Sequence, residues 1–194
     1  MFRPKHKVNN MIKTQIILAG IGGQGVLFAS RIFSGLGLKR GINILGSETH
    51  GMSQRGGSVL AHLKLGDFHS PLIRTGAADI LYSFAEEETY RSLKFLKSGG
   101  VCFVNLKDSK RFDPAILSYL KGKDIVFRAV DAGKVASRIC FARSANIALI
   151  GYSVGSGLVP FEYDDMRSVL KSVSRERDLE MNLKAFEIGY LEGK

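Results

Sequence analysis

Cysteine is scarce: Cys102 and Cys140 are the only two among 194 residues, each within an apolar segment and with no C-x-x-C. That pattern excludes a disulfide framework and argues against cysteine-ligated zinc or iron–sulfur sites on this chain. Acids are missing from the first 47 positions, where seven basic residues occur (Arg3, Lys5, Lys7, Lys13, Arg31, Lys39, Arg40), so this stretch carries +7 of the formal +10. A basic patch can serve nucleic acid. Four of these seven charges, however, precede the first apolar run, and a solvated leader is the simpler reading, so no nucleic-acid partner is expected. No stretch reaches the ~20 apolar residues of a membrane span: the uncharged runs Thr14–Ser30 and Ser144–Phe161 are broken by glycines, the second also by Pro160. The apolar Ile16–Ala19 is too short for a signal peptide and runs straight into glycines. The expectation is a cytoplasmic protein, a flexible basic leader at 1–10 and a single domain over 11–194, with no membrane association.

Hydrophobic periodicity then predicts an order of elements. Gln15–Ala19 reads as a buried strand, Val26–Arg40 as a helix stopped by Gly41, and Ile42–Leu45 as a second strand. A long loop over Gly46–Gly57 follows. Ser58–Leu65 alternates Val59, Ala61, Leu63 and Leu65 with Ser58, His62 and Lys64, as a strand with one buried and one wet face does. Strands at Asp79–Phe84, Val101–Asn105 and Ile125–Val130 then interleave with helices at Glu86–Lys97 and from Asp113-Pro114 to Gly122. Helices at Ser144–Tyr152, Asp164–Val173 and Asp178–Leu191 close the chain. This alternation predicts an α/β fold: a three-layer, Rossmann-like, mostly parallel sheet with helices on both faces and one alternating, antiparallel strand.

Two segments carry candidate chemistry. Gly20-x-Gly22-x-x-Gly25 (with Gly23 and Gln24 between) lies between a predicted strand and helix, where glycines permit a tight turn and the helix N-terminus offers free N–H groups to an anion. A dinucleotide site also wants an acid after the second strand. Glu48 stands 23 residues past Gly25, but a loop and an alternating strand occupy the place of the next crossover helix. A turn binding nothing is an equal alternative. The second segment, Gly46–Gly57, gathers Glu48, His50, Gln54 and Arg55 beside Gly56 and Gly57, a density that suits a site or an interface. A plain Glu48–Arg55 pair across the loop is the structural alternative. No G-x-S-x-G elbow supports hydrolysis. The histidines His6, His62 and His69 have no acid or cysteine at ligand spacing, so no metal site is expected. Asn146, in an apolar helix, must find a partner if buried.

Taken together, Gly20-Ile21-Gly22-Gly23-Gln24-Gly25-Val26-Leu27 and Ser47-Glu48-Thr49-His50-Gly51-Met52-Ser53-Gln54-Arg55-Gly56-Gly57-Ser58-Val59 resemble the gamma-type subunits of the 2-oxoacid:ferredoxin oxidoreductases (the pyruvate/ketoisovalerate oxidoreductase gamma-type domain), and the indolepyruvate branch in particular. The pyruvate and oxoglutarate branches carry "SYGPE"-like text where this chain has Glu48–Ser53. The resemblance runs from Met11 onward, including the Asn146 segment and Asn182-Leu183-Lys184-Ala185-Phe186. It implies an accessory subunit in oxidative decarboxylation of indolepyruvate or other arylpyruvates to acyl-CoA, with electrons passed to ferredoxin. Thiamine diphosphate, magnesium, iron–sulfur clusters and coenzyme A would belong to the assembled enzyme. The sequence has neither a diphosphate–magnesium motif nor cysteine clusters, so a larger partner subunit would hold thiamine and clusters. No cofactor is expected on this chain alone, and no confident catalytic residue. Isolated, it should be inactive, and a homodimer standing in for the true partner is left open. A stand-alone Rossmann-like NAD- or flavin-binding reductase is the alternative.

Overall fold

The computed structural model describes residues 13–51, 56–108, 112–139 and 141–194. The expected leader 1–10, Gln54, Arg55 and Cys140 lie outside them. Strand β1 (Thr14–Ile21) shows why the molecule is layered. Ile16 and Leu18 enter one apolar cluster while Ile17 and Ala19 enter another, so the strand is buried on both faces. Around it lies a six-stranded sheet of order β2-β3-β1-β4-β5-β6, built from β2 (Ile44–His50), β3 (Ser58–Leu65), β4 (Ala78–Ser83), β5 (Leu96–Asn105) and β6 (Val126–Val130). The pairs β1–β4, β4–β5 and β5–β6 are parallel, whereas β3 runs antiparallel to both β1 and β2. The expected α/β fold with one antiparallel strand is the observed one, and that strand is the alternating one.

One face carries α1 (Val26–Lys39), and the other α2 (Glu86–Ser92) and α3 (Pro114–Gly122). With α1 lie α4 (Ala132–Ser137), α5 (Ala145–Gly155), α6 (Tyr163–Val173) and α7 (Glu176–Gly193). The α1-side core is centred on Tyr82, whose ring lies 5.2 Å from Phe33 and 5.4 Å from Phe103. The Ser153 hydroxyl donates to the Ile150 carbonyl at 2.7 Å, so the Tyr82 hydroxyl must donate to Ser153, also at 2.7 Å. Among the described residues no helix is long and apolar enough to cross a membrane.

Helices α5 and α7 approach through glycine. A Cβ on Gly151 would sit 2.2 Å from the Phe186 carbonyl oxygen, and one on Gly155 2.0 Å from that of Tyr190. From the other side, Gly189 would meet the Ala148 oxygen at 2.1 Å and Gly193 that of Tyr152 at 2.2 Å. Each helix thus presents glycines four residues apart, and each receives the other's backbone, the geometry that small residues at this spacing allow.

Four expectations are corrected. The predicted loop Gly46–Gly57 begins as strand: β2 extends to His50 because β3 offers backbone partners through the pairs Gly46–Leu63, Glu48–Ala61 and His50–Val59. Polar Ser47, Glu48 and Thr49 are tolerated there because β2 is an edge strand. The helix predicted over Glu86–Lys97 stops at Ser92, followed by a 3₁₀ turn at Leu93–Phe95 and then β5, since Leu93 and Leu96 are both drawn into the α2-side core. The wet face of β3 is covered. His62 Nδ1 accepts the Ile73 N–H at 3.1 Å, its ring meets Phe95 edge-on, and the Lys64 ammonium lies over the Phe68 ring. Finally, α4 was not expected. Asp131 caps it by accepting from Lys134 N–H at 2.8 Å, and Asn105 accepts from Ala132 N–H at 3.0 Å.

Candidate functional site

The glycine motif closes β1 and opens α1. Gln24 staples this turn locally, accepting the Ile21 N–H at 2.8 Å and donating its own N–H to the Ile21 carbonyl at 3.0 Å. Gly25 is the residue before α1 and adopts the left-handed region (φ 79°), which a Cβ disfavours. A Cβ there would also lie 2.3 Å from Asn146 Nδ2. The two sequence segments meet at this point: Gly22 N–H donates to the Gly57 carbonyl at 2.8 Å, next to the Ile21–Ser58 pair. Ser58 in turn donates to Glu88 at 2.6 Å, and Glu88, 3% exposed, is also held by Arg91. Gly20, Gly22, Gly23, Gly25, Gly56 and Gly57 therefore share one end of the sheet. Glu48 is not among them. It lies on the outer strand and lines a separate, smaller recess with Ser30, Ser34 and Ser47, of which Arg31 forms part of the wall. His50 ends β2 opposite Val59.

A recess of about 590 Å³ opens beside the glycine loop, within the range of small-molecule sites. Three helix N-termini line it: α1 through Gly25 and Val26, α5 through Ser144 and Asn146, and α7 through Arg175, Arg177 and Asp178. The first turns of α1 and α5 hold no acid, so their positive ends are uncompensated there; α7 has Glu176 and Asp178. Arg31 and Arg143 join Arg175 and Arg177 in the wall. Apolar surface comes from Ile21, Phe28, Phe141, Ile147 and Val173. Behind the wall, Ser144 donates to Asn182 Oδ1 at 2.8 Å and Asn182 donates to Ser174 at 3.1 Å, which ties α5 to the start of α7. Asn146 Nδ2 donates to the Gly25 carbonyl at 3.1 Å, and its Oδ1 is buried with no partner among the described residues.

Chain order gave no sign of this arginine wall, because its members come from α1, the turn before α5 and the start of α7, far apart in sequence. The sequence marks Asn146 as a polar residue in need of a partner, and the structure supplies the Gly25 carbonyl. Among the described residues no group of three His, Cys, Asp or Glu side chains could hold a metal ion. Cys102 is buried, and burial pushes its thiol well above the usual range, the reverse of what a metal ligand needs.

A sheet with one reversed strand beside β1, and a glycine turn joined to the segment before β3, define a mixed α/β domain rather than a dinucleotide fold, in which a parallel neighbour would occupy the place of β3. The profile of the family "Pyruvate ferredoxin/flavodoxin oxidoreductase" matches residues 15–192, and the chain belongs to that family. It is 29% identical to the indolepyruvate oxidoreductase subunit IorB of Archaeoglobus fulgidus, over 92% of this chain and 94% of that protein. In fold it is similar to the gamma subunit of keto/oxoacid ferredoxin oxidoreductase from Geobacter sulfurreducens PCA, with a TM-score of 0.73, 23% identity, and coverage of 93% of this chain and 98% of the other. The 2-oxoglutarate:ferredoxin oxidoreductase of Magnetococcus marinus, solved with 2-oxoglutarate, coenzyme A and succinyl-CoA bound, contains the same fold, with a TM-score of 0.74 and 18% identity. There it covers 93% of this chain but 31% of the other, so this fold is one part of a longer polypeptide.

Proposed function

We propose that this chain is the accessory subunit of a cytoplasmic 2-oxoacid:ferredoxin oxidoreductase acting on indolepyruvate or another arylpyruvate. The observation that carries the reading is the match to a subunit of such an enzyme over nearly the full length of both chains. The described residues do not fit an iron–sulfur cluster, since the buried Cys102 is the only cysteine among them, and no group of their His, Cys, Asp or Glu side chains could hold the magnesium that accompanies thiamine diphosphate. A larger partner subunit is therefore assigned the thiamine diphosphate, magnesium and clusters, together with delivery of electrons to ferredoxin; coenzyme A would take up the acyl group. The contribution of this chain is to cover and complete the partner. Its free edge at β2, with Glu48 and Thr49 exposed, and the adjoining segment to Gly57 form the proposed docking face.

The test is reconstitution. The chain alone should not oxidise indolepyruvate, and activity should appear on anaerobic mixing with the large subunit. Turnover by this chain alone would refute the assignment. Arg55, outside the described residues, is proposed to meet an anionic group across this face through its planar guanidinium. Arg55→Ala should then weaken assembly by ~3–5 kcal/mol, with Arg55→Lys recovering part of the loss. Wild-type assembly in both variants would remove Arg55 from the interface.

A further inference from the structure

At the end of the sheet away from the glycine loop, positive charge collects without a partner. Lys64 stands about 20 Å along β3 from Ser58, by the rise of a strand. Its neighbours Leu63 and Leu65 enter the α1-side core, so its side chain leaves on the opposite face. The residue is 8% exposed, yet its ammonium meets no carboxylate among the described residues. It rests 5.1 Å from the centroid of the Phe68 ring, and the Lys13 ammonium lies over the same ring at 5.0 Å. Burial first, and the Arg74 charge second, hold the Lys64 ammonium below its usual pKa, so a third cation is close by. Lys94 is a fourth, over the Phe95 ring that meets His62. The loop carrying Phe68 and Arg74 is held in place, by the Ile73 N–H on His62 and by the Gly76 N–H on the Lys94 carbonyl at 2.9 Å. Lys97, by contrast, is already paired with Asp79.

Cations gathered round one ring repel each other, and an ammonium over an aromatic face keeps its N–H groups free. A carboxylate arriving from outside would relieve the repulsion and accept those N–H groups. The chain's own leader cannot supply it, because Arg3, Lys5 and Lys7 give that segment charge of the same sign and it holds no acid. Two copies paired symmetrically through this surface would bring the same cations face to face. Nucleic acid fits poorly. The loop exposes Leu72 (55%) among the basic side chains and carries Asp67 beside Phe68, an apolar and an anionic group where a phosphate backbone would lie. We infer that this surface docks an acidic segment of a second protein, with carboxylates on Lys13, Lys64, Arg74 and Lys94 and an apolar side chain against Phe68 and Leu72. It lies at the far end of β3 from the segment ending at Gly57, and it does not depend on the assembly proposed above.

Nuclear magnetic resonance titration of the isotope-labelled full chain tests it. The probes are a short Glu-rich peptide with one central leucine, the same peptide with serine for leucine, and a short DNA duplex. The leucine peptide should bind saturably, more weakly as salt rises, and should shift the amide signals of Lys64, Phe68, Leu72 and Arg74 first. Lys64→Met keeps the buried stem and removes the charge, whereas Arg74→Gln removes an exposed one. Each should weaken the peptide by about tenfold, since a hydrogen bond to a charged group is worth roughly one decade in affinity. Lys171→Gln, exposed on α6 across the sheet, lowers the net charge equally and should change affinity less than about twofold. Serine for leucine in the peptide should cost about fivefold through the lost apolar contact. Arg74 is exposed, so its variant should melt as the wild type does and reads the surface even where Lys64→Met disturbs the strand. Equal losses in the Lys64, Arg74 and Lys171 variants would mean attraction to net charge alone and would overturn the inference. No saturable peptide binding, amide shifts confined to other regions, or a duplex binding as tightly as the peptide would overturn it too.

Discussion

Glycine does opposite jobs in two parts of this molecule. Along the α5–α7 seam, Gly151, Gly155, Gly189 and Gly193 have ordinary helical backbone and no room, with a carbonyl oxygen of the facing helix 2.0–2.2 Å from where each Cβ would be. At the sheet end, Gly23 and Gly56 have ample room but a positive φ, 98° and 76°. Gly25 has both constraints at once, with φ 79° and Asn146 Nδ2 at 2.3 Å. The seam needs the absence of a side chain so that two helices can touch. The turn needs backbone freedom so that a strand can hand over to a helix while leaving N–H groups open. One is a packing requirement and the other a conformational one, and substitution separates them.

The largest effect should come from the seam. Gly155→Ala forces a methyl into backbone that cannot swing aside and should destabilise by ~3 kcal/mol, at the upper end of overpacking costs; a shift in the denaturation midpoint at constant m-value checks it. Gly25→Ala should cost less, ~2 kcal/mol, from left-handed strain plus displacement of Asn146. It should also abolish the Asn146–Gly25 hydrogen bond and so loosen the recess. Gly23→Ala meets nothing within 4 Å and should cost only the strain, ~1 kcal/mol. Equal costs at positions 23 and 155 would break the distinction. Tyr82→Phe, in the core between the two regions, should cost ~1 kcal/mol through the Ser153 oxygen left without its donor.

The smallest effect is pH-dependent and serves as a control. His62 is buried against Phe95 with Lys64 nearby; burial first, and the Lys64 charge second, hold its pKa below 6.5. The unfolded chain then takes up the proton first, so stability is complete above pH 6.5 and falls as pH drops below it toward the folded-state value. His62→Gln should flatten that limb in urea titrations at pH 8 to 5. His62 lies on the other face of the sheet from the seam, so the Gly155→Ala deficit should stay constant over the same range.

The sequence carried the strand–helix order well where local chemistry was unambiguous. β3 has the bounds its alternation predicts, and α3 has the Asp113-Pro114 start, with Asp113 accepting from Ala115 N–H at 2.8 Å. It misled where tertiary pairing overrode composition. Gly46 to His50 look like loop because polar residues and glycine dominate, yet β3 supplies the backbone partners that make them strand. Of the candidate residues, the glycine turn and Gly56-Gly57 were legible as motifs, and the structure joins them through one Gly22–Gly57 hydrogen bond. Gln24 proved to hold its own turn, and Glu48 to stand in a neighbouring recess.

By itself the sequence determined the layered α/β class, the reversed strand and the family, because periodicity and glycine spacing are local properties of the chain. The seam spacing, Gly151 to Gly155 and Gly189 to Gly193, was also written there, but nothing local says that the two pairs face each other. Only the tertiary structure decided that Arg31, Arg143 and Arg175 share one wall with three helix N-termini, and that the amide nitrogen of Asn146 closes the turn while its oxygen finds no donor among the described residues. The physical reason is distance along the chain. A recess is made of ends of elements, and which ends converge is set by sheet order and helix packing, which no window of sequence contains.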